Sequence, residues 1–230
     1  MSESAAILEG MSDTALAIGA HVPQEDPIAE AVARQTSVVQ FFLGQPQSYK
    51  GPVVAYAGGA AALRAAAEAA GVALYVHAPY IVNVATTNNR IRIPSRKLLQ
   101  QHMDAAAEIG ARGLIVHGGH VDKGVDPAVG FDNWRKAIEA TDLKIPLLLE
   151  NTAGGDNAMA RHLDRIAGVW DAISAAQGAE QVGFCLDTCH AWAGGIELDT
   201  AVDKILAITG RIDLVHANDS RDGFNSGADR

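Results

Sequence analysis

Short apolar runs alternate with longer stretches of helical periodicity along almost the whole chain. Seven runs read as strands: Leu16 to Val22, Val38 to Phe42, Val72 to His77, Gly113 to His117, Ile145 to Glu150, Val182 to Asp187 and Ile212 to His216. Helical patterns lie between them, including the alanine-rich Ala60 to Ala70, Pro94 to Ile109, and a stretch from near Ala158 past Trp170. Pro94 suits the first position of a helix and Gly110 the residue just past its end. Repeated strand–helix alternation predicts an α/β fold with a parallel sheet and right-handed crossovers.

An open doubly wound sheet and a closed eight-stranded barrel both satisfy this pattern. The strand ends decide between them. No G-x-G-x-x-G follows the first strand, whereas ionisable residues stand at the C-terminal ends of six strands: His21, His77, His117, Glu150, Asp187 and His216. A barrel gathers chemistry from many strand ends onto one face, so a TIM (β/α)8 barrel is predicted. Only Ala217 to Arg230 follow the seventh strand, so the eighth strand–helix unit is expected to be missing, with a truncated C-terminus and unpaired edges on strands one and seven. The expected organisation is a disordered extension over 1–14 and a single barrel domain over 15–230.

Composition agrees with one compact domain: 48% of the 230 residues are hydrophobic and 20% charged. Met1 to Thr14 lacks a basic n-region, and no run approaches membrane-spanning length, so a cytoplasmic, monomeric protein without a membrane partner is expected. Cys185 and Cys189 would lie roughly 13 Å apart on extended chain, too far for a disulfide, and are expected as a packed thiol and a loop thiol. The net charge of -9 argues against a protein that holds nucleic acid mainly by a basic surface. It does not exclude nucleic acid, because acidic metal ligands would place cations where a phosphate sits.

Histidine and carboxylate together are the donor types of zinc, manganese or iron sites, and six converging strand ends are hard to explain by packing alone. In Asp187-Thr188-Cys189-His190 a strand-end carboxylate is followed by an imidazole; the plainer reading is that Asp187 caps the next helix. Glu150 ends an apolar strand, where burial without a partner would be costly, and a position between cations would resolve that cost.

Six segments, in order, resemble the successive signatures of the endonuclease IV family of apurinic/apyrimidinic endonucleases: Ile18 to Val22, His77 to Asn83, Val116 to His120, Glu150 to Gly154, Cys185 to Ala191 and His216 to Ser220. The resemblance implies a TIM barrel holding three zinc ions, with manganese as an alternative. It places His77 and His117 on one zinc, Glu150 bridging it to a second held by Asp187 and His216, and His190 with Asp229 on a third. Two further family ligands would fall after Arg230, so weakened binding of the second and third metals is expected. The implied reaction is hydrolysis of the phosphodiester 5' to an abasic site in double-stranded DNA, with a bridging water held at Glu150 as the nucleophile. Tyr80 and the loop Gly44 to Lys50, with Gln47 and Tyr49, match positions that face DNA; some family members carry an intercalating Arg where Gln47 stands.

His21 and His120 are expected behind the ligands, orienting or packing. His102 and His162 are expected on helix surfaces, and Trp134, Trp170 and Trp192 in packing roles. Arg92, Arg96 and Lys97 can steer DNA, though a solvated face is the plainer reading. Two rival functions are a metal-dependent sugar isomerase or epimerase, which has no need of the His190 and Asp229 pair, and a non-catalytic DNA- or metal-binding remnant.

Overall fold

The computed structural model describes residues 16–230, and the expectation for 1–14 falls outside them. Seven strands form one sheet: β1 (Gly19–His21), β2 (Val38–Phe42), β3 (Ala73–His77), β4 (Gly113–His117), β5 (Leu147–Glu150), β6 (Val182–Asp187) and β7 (Leu214–His216). Every strand runs parallel to its chain neighbour, in the order β1-β2-β3-β4-β5-β6-β7. These are seven strands of a TIM barrel; among the described residues there is no eighth, and β1 does not pair with β7. The central strands β5 and β6 are buried along their whole length, whereas Val215 on β7 is 50% exposed.

Among the described residues seven α-helices follow the strands: α1 (Pro27–Ala33), α2 (Gly59–Ala70), α3 (Asn89–Glu108), α4 (Pro127–Ala140), α5 (Leu163–Ser174), α6 (Thr188–Gly194) and α7 (Leu198–Thr209). Two of them start with the same dipeptide. In Asp26-Pro27 and Asp126-Pro127 the carboxylate accepts the amide of Ala29 (3.0 Å) or Ala128 (2.9 Å), while proline occupies a position that needs no N–H donor. Three expectations fail for physical reasons. Asn88, whose side chain accepts from Arg90 N at 3.0 Å, starts α3 well before Pro94, which therefore sits inside the helix. The helix expected from Ala158 begins only at Leu163, because Met159 N donates to Gly119 O and Thr152 N to Ala160 O, which commits this backbone to loop pairing. Cys189 lies buried on α6, not in a loop; both cysteines are free thiols.

On β3 to β7 the side chains two residues before the strand-end ionisable groups share their face of the sheet. They are Tyr75, Ile115, Leu148, Cys185 and Leu214, and they pack together as a small cluster separate from the main core. This layer forms an apolar floor under the strand ends. The larger core lies between the other face of the sheet and the helices, where Trp134, fully buried, donates from Nε1 to Gly118 O at 2.7 Å. Trp170 is also buried there, and Trp192 is half-buried. No helix among the described residues is long and apolar enough to cross a membrane.

His102 also departs from its expected place: it is 1% exposed inside α3, not on the surface, with Nδ1 donating to Leu98 O at 3.0 Å. His162 stands half-buried at the start of α5. Burial lowers the His102 pKa below its ordinary 6.5, overriding the backbone hydrogen bonds. The native state therefore holds this ring neutral, and its contribution to stability is present above pH 6.5 and lost as pH falls below it. Replacing His102 with Gln should flatten the acid limb of the stability curve, read as urea midpoints at stepped pH; an unchanged limb would show that charging this ring does not limit acid stability.

Candidate metal centre

Strand register sets the ionisable groups on two adjacent levels, His77 pairing with Ile115 one level below His117. His117 is laterally paired with Glu150, Glu150 with Cys185, and Asp187 with His216. The stagger between β5 and β6 places Asp187 two residues further along than Cys185, so it reaches over the floor layer toward Glu150.

Glu150 is the hub. Its carboxylate is 1% exposed and is met by four imidazoles: His77 Nε2 at 2.9 Å, His216 Nδ1 at 2.8 Å, His117 Nε2 at 3.3 Å and His190 Nδ1 at 3.4 Å. Asp187 Oδ2 lies 3.6 Å from His216 Nδ1, and Asp229 Oδ2 lies 3.2 Å from His190 Nε2. All seven residues expected as ligands thus converge. The donor atoms of three groups lie within 4.8 Å of one another: His77, His117 and Glu150; Glu150, Cys185 and His216; and Glu150, Asp187 and His190. Imidazole nitrogen and carboxylate oxygen crowded at this spacing fit divalent cations such as zinc or manganese. Cys185 is an addition to the expected set; its thiol is pushed up to about 11, chiefly by burial.

Asp187 caps the helix that follows it and also faces the cluster. Its side chain accepts the His190 amide at 2.8 Å and so caps α6, while Oδ2 accepts from Asn218 Nδ2 at 2.6 Å and faces His216. Asn151, fully buried, brackets the same residue, accepting from Asp187 N at 2.7 Å and donating to Asp187 O at 2.9 Å. Sequence reasoning missed Asn151, although an amide directly after the strand-end glutamate is a signal that could have found it.

Asp229 comes from a stretch, 217–230, without helix or strand. Hydrogen bonds fasten it to the end of α6: Trp192 Nε1 donates to Asp222 O at 3.1 Å, Asn225 N to Trp192 O and Gly227 N to Ala193 O. The buried Arg161 adds a side-chain clip, with one guanidinium nitrogen 3.0 Å from Asn225 Oδ1 and another 3.2 Å from Asp156.

Electrostatics follow from this packing. Burial opposes ionisation of Glu150, yet hydrogen bonds from His117, His190, His216 and His77 hold it well below the usual carboxylate range. Burial likewise opposes charge on His190, but Asp229 and Glu150 push it up to about 11. His216, against the same burial, is pushed up to about 12 by Asp187, Cys185 and Glu150. His117 is lowered by its own burial. Packing thus favours an ionised Glu150 flanked by protonated His190 and His216.

A groove of about 590 Å³ opens over the centre, lined among others by Tyr49, Tyr80, His117, His120, His190 and Asp229. Tyr80 is half-exposed and stacks on the His117 ring, with centroids 5.3 Å apart and planes at 24°. Tyr49 donates to Ile81 O at 3.3 Å; Gln47 is exposed and does not line the groove. His120 sits on the rim beside Asn83, whose Nδ2 donates to His120 O at 2.9 Å and lies 3.3 Å from its ring, so it is Asn83 and not His117 that this histidine meets. His21 is 3.1 Å from Gln40 Nε2 and its pKa falls to about 4, chiefly through burial. Arg92 and Arg96 are half-buried and donate to Thr86 O (2.9 Å) and Asn133 O (3.0 Å), while Lys97 is exposed.

A parallel barrel with a histidine–carboxylate centre at its strand ends defines a class, and residues 29–230 match the profile of the xylose isomerase-like TIM barrel family. Within that class the chain belongs to the endonuclease IV family. It is 56% identical over 213 residues to the "Probable endonuclease 4" of Mycobacterium marinum, a match that covers 93% of this chain and 81% of that protein. The crystal structure of endonuclease IV from Thermus thermophilus superposes with a TM-score of 0.77 at 27% identity, over 94% of this chain and 81% of that one. A D-tagatose 3-epimerase-like protein shares the fold at a TM-score of 0.71 and 18% identity, over 89% and 76% of the two chains.

Metal ligation requires neutral imidazole, whereas His190 and His216 carry protons well above neutrality in the metal-free chain. Uptake of a divalent ion at neutral pH by His190 or His216 should therefore release the extra proton of that histidine, and affinity should rise with pH. Titration calorimetry in buffers of differing ionisation heat measures the protons; binding with no release would contradict the imidazolium assignment.

Proposed function

We propose that the chain is a divalent-metal-dependent DNA repair endonuclease that hydrolyses the phosphodiester 5' to abasic sites in double-stranded DNA, with zinc as its metal. The observation that carries this reading is the seven-residue cluster round Glu150, in a chain whose relatives are named for endonuclease activity. His77, His117 and Glu150 would hold one ion, Glu150, Asp187 and His216 a second, and His190 with Asp229 a third. Bound divalent ions supply Lewis acidity, which activates water, neutralises phosphate charge and stabilises a departing alkoxide.

The chain's own residues supply position and environment. Glu150, held in its ionised form by the surrounding histidines, presents both oxygens inward, so it can orient a water at the centre. The apolar floor of Ile115, Leu148 and Cys185 keeps solvent out from below. Tyr80, stacked over His117, and Tyr49 wall the groove where a DNA backbone would lie, while Gln47 stands exposed on the same loop as Tyr49, outside the groove lining. Loss of the base lowers the cost of turning the sugar out of the duplex toward such a groove. The acidic chain meets DNA through its cations instead of a basic face, in keeping with its net charge of -9.

A sugar-directed activity is the competing chemistry on this fold. The His190–Asp229 pair, brought in by a dedicated loop, favours the nuclease. Nicking of a duplex with one abasic site should occur with zinc and should be abolished by a chelator and by Glu150→Ala. Turnover of ketoses without nicking would overturn the proposal.

A further inference from the structure

The clustered histidines are not all mounted the same way round. His77 donates from Nδ1 to Ala78 O at 2.7 Å and turns Nε2 toward Glu150. His190 donates from Nδ1 to Asn151 O at 2.8 Å and turns Nε2 toward Asp229. In both, a backbone carbonyl fixes the tautomer, which no side-chain replacement can remove. His216 is reversed. Its Nδ1 faces Glu150 Oε1 at 2.8 Å and Asp187 Oδ2 at 3.6 Å, while Nε2 lies 2.8 Å from Gln40 Oε1.

Gln40 is a polar residue inside the apolar run of β2, laterally paired with His21 on β1. Its amide nitrogen lies 3.1 Å from His21 Nδ1. An amide has one donor end and one acceptor end. With NH2 directed at His21, the carbonyl oxygen must face His216, and that oxygen accepts only if His216 Nε2 carries a hydrogen.

We propose that Gln40, itself oriented by His21, is a positioning residue that holds His216 as the Nε2–H tautomer and leaves Nδ1 as its metal-donor atom, opposite to His77 and His190. This rests on the reading of the cluster as a metal centre. His216 then differs from its neighbours in depending on a replaceable side chain for its alignment.

Nitrogen NMR of ¹⁵N-histidine-labelled chain with and without Zn2+ tests it. In the unchanged chain, zinc should shift Nδ1 of His216 and leave its Nε2 protonated. Gln40→Met, which keeps the shape and removes the hydrogen bonds, should mix the His216 tautomers and weaken zinc binding about 10–100-fold, while His77 still coordinates through Nε2. Gln40→Glu, which keeps an acceptor toward His216, should restore Nδ1 coordination. Zinc on Nε2 of His216 in the unchanged chain, or a methionine variant with unaltered tautomer and affinity, overturns the inference alone. No response of His216 to zinc in the unchanged chain overturns the metal-centre reading as well. If the methionine variant fails to fold, the unchanged and glutamate chains still decide.

Discussion

A carboxylate buried at the end of a central strand has to be compensated, and most of the upper face of this barrel follows from that requirement. Leaving one buried charge without its partner costs about 3–5 kcal/mol. Glu150, 1% exposed, meets the requirement with imidazoles from β3, β4, α6 and β7. These elements are far apart along the chain and meet only in the folded barrel. The sheet register and the loop conformations must therefore be right together before the charge is satisfied, and the same arrangement is what a divalent ion needs.

Holding the remote ligand is a separate problem. Asp229 has no strand to fix it, and the chain solves this by fastening the 217–230 stretch to carbonyls at the end of α6 and to Arg161. Asp187 links the two solutions, since its capping of α6 sets where His190 projects and where that helix begins. Positioning here passes through backbone hydrogen bonds more than through side-chain pairs.

Most of the barrel is legible in the sequence because its strands are apolar runs and six of the seven end in or beside an ionisable residue, a pattern that both burial and chemistry enforce. Val38–Phe42, Gly113–His117 and Val182–Asp187 match their expected bounds in full, and other strands differ only near their ends. Helix starts are harder. Pro94 signals a first turn by its own chemistry, but Asn88 offers a competing cap upstream, and a local rule cannot rank the two. The loop pairing that delays α5 depends on Gly119, in the preceding strand–helix unit, and is invisible to any short window of sequence. His102 reads as a surface residue because one histidine on a helix carries no sign of which side packs. Gln40 is silent for the opposite reason: it is a single polar position in an apolar strand, and its value appears only when β1 and β7 are brought beside it.

The apolar floor has a consequence for how the chain finds its alignment. On β3 to β7 the residue just before each strand-end group is aliphatic: Val76, Val116, Leu149, Leu186 and Val215. A slip of one residue in any of β3 to β6 would turn an imidazole or carboxylate toward the helices and put a methyl-bearing side chain into the cluster. Both faces of the sheet would object at once. The ionic cluster thus works as a gauge of assembly as well as a place for chemistry, and it admits one threading of the barrel.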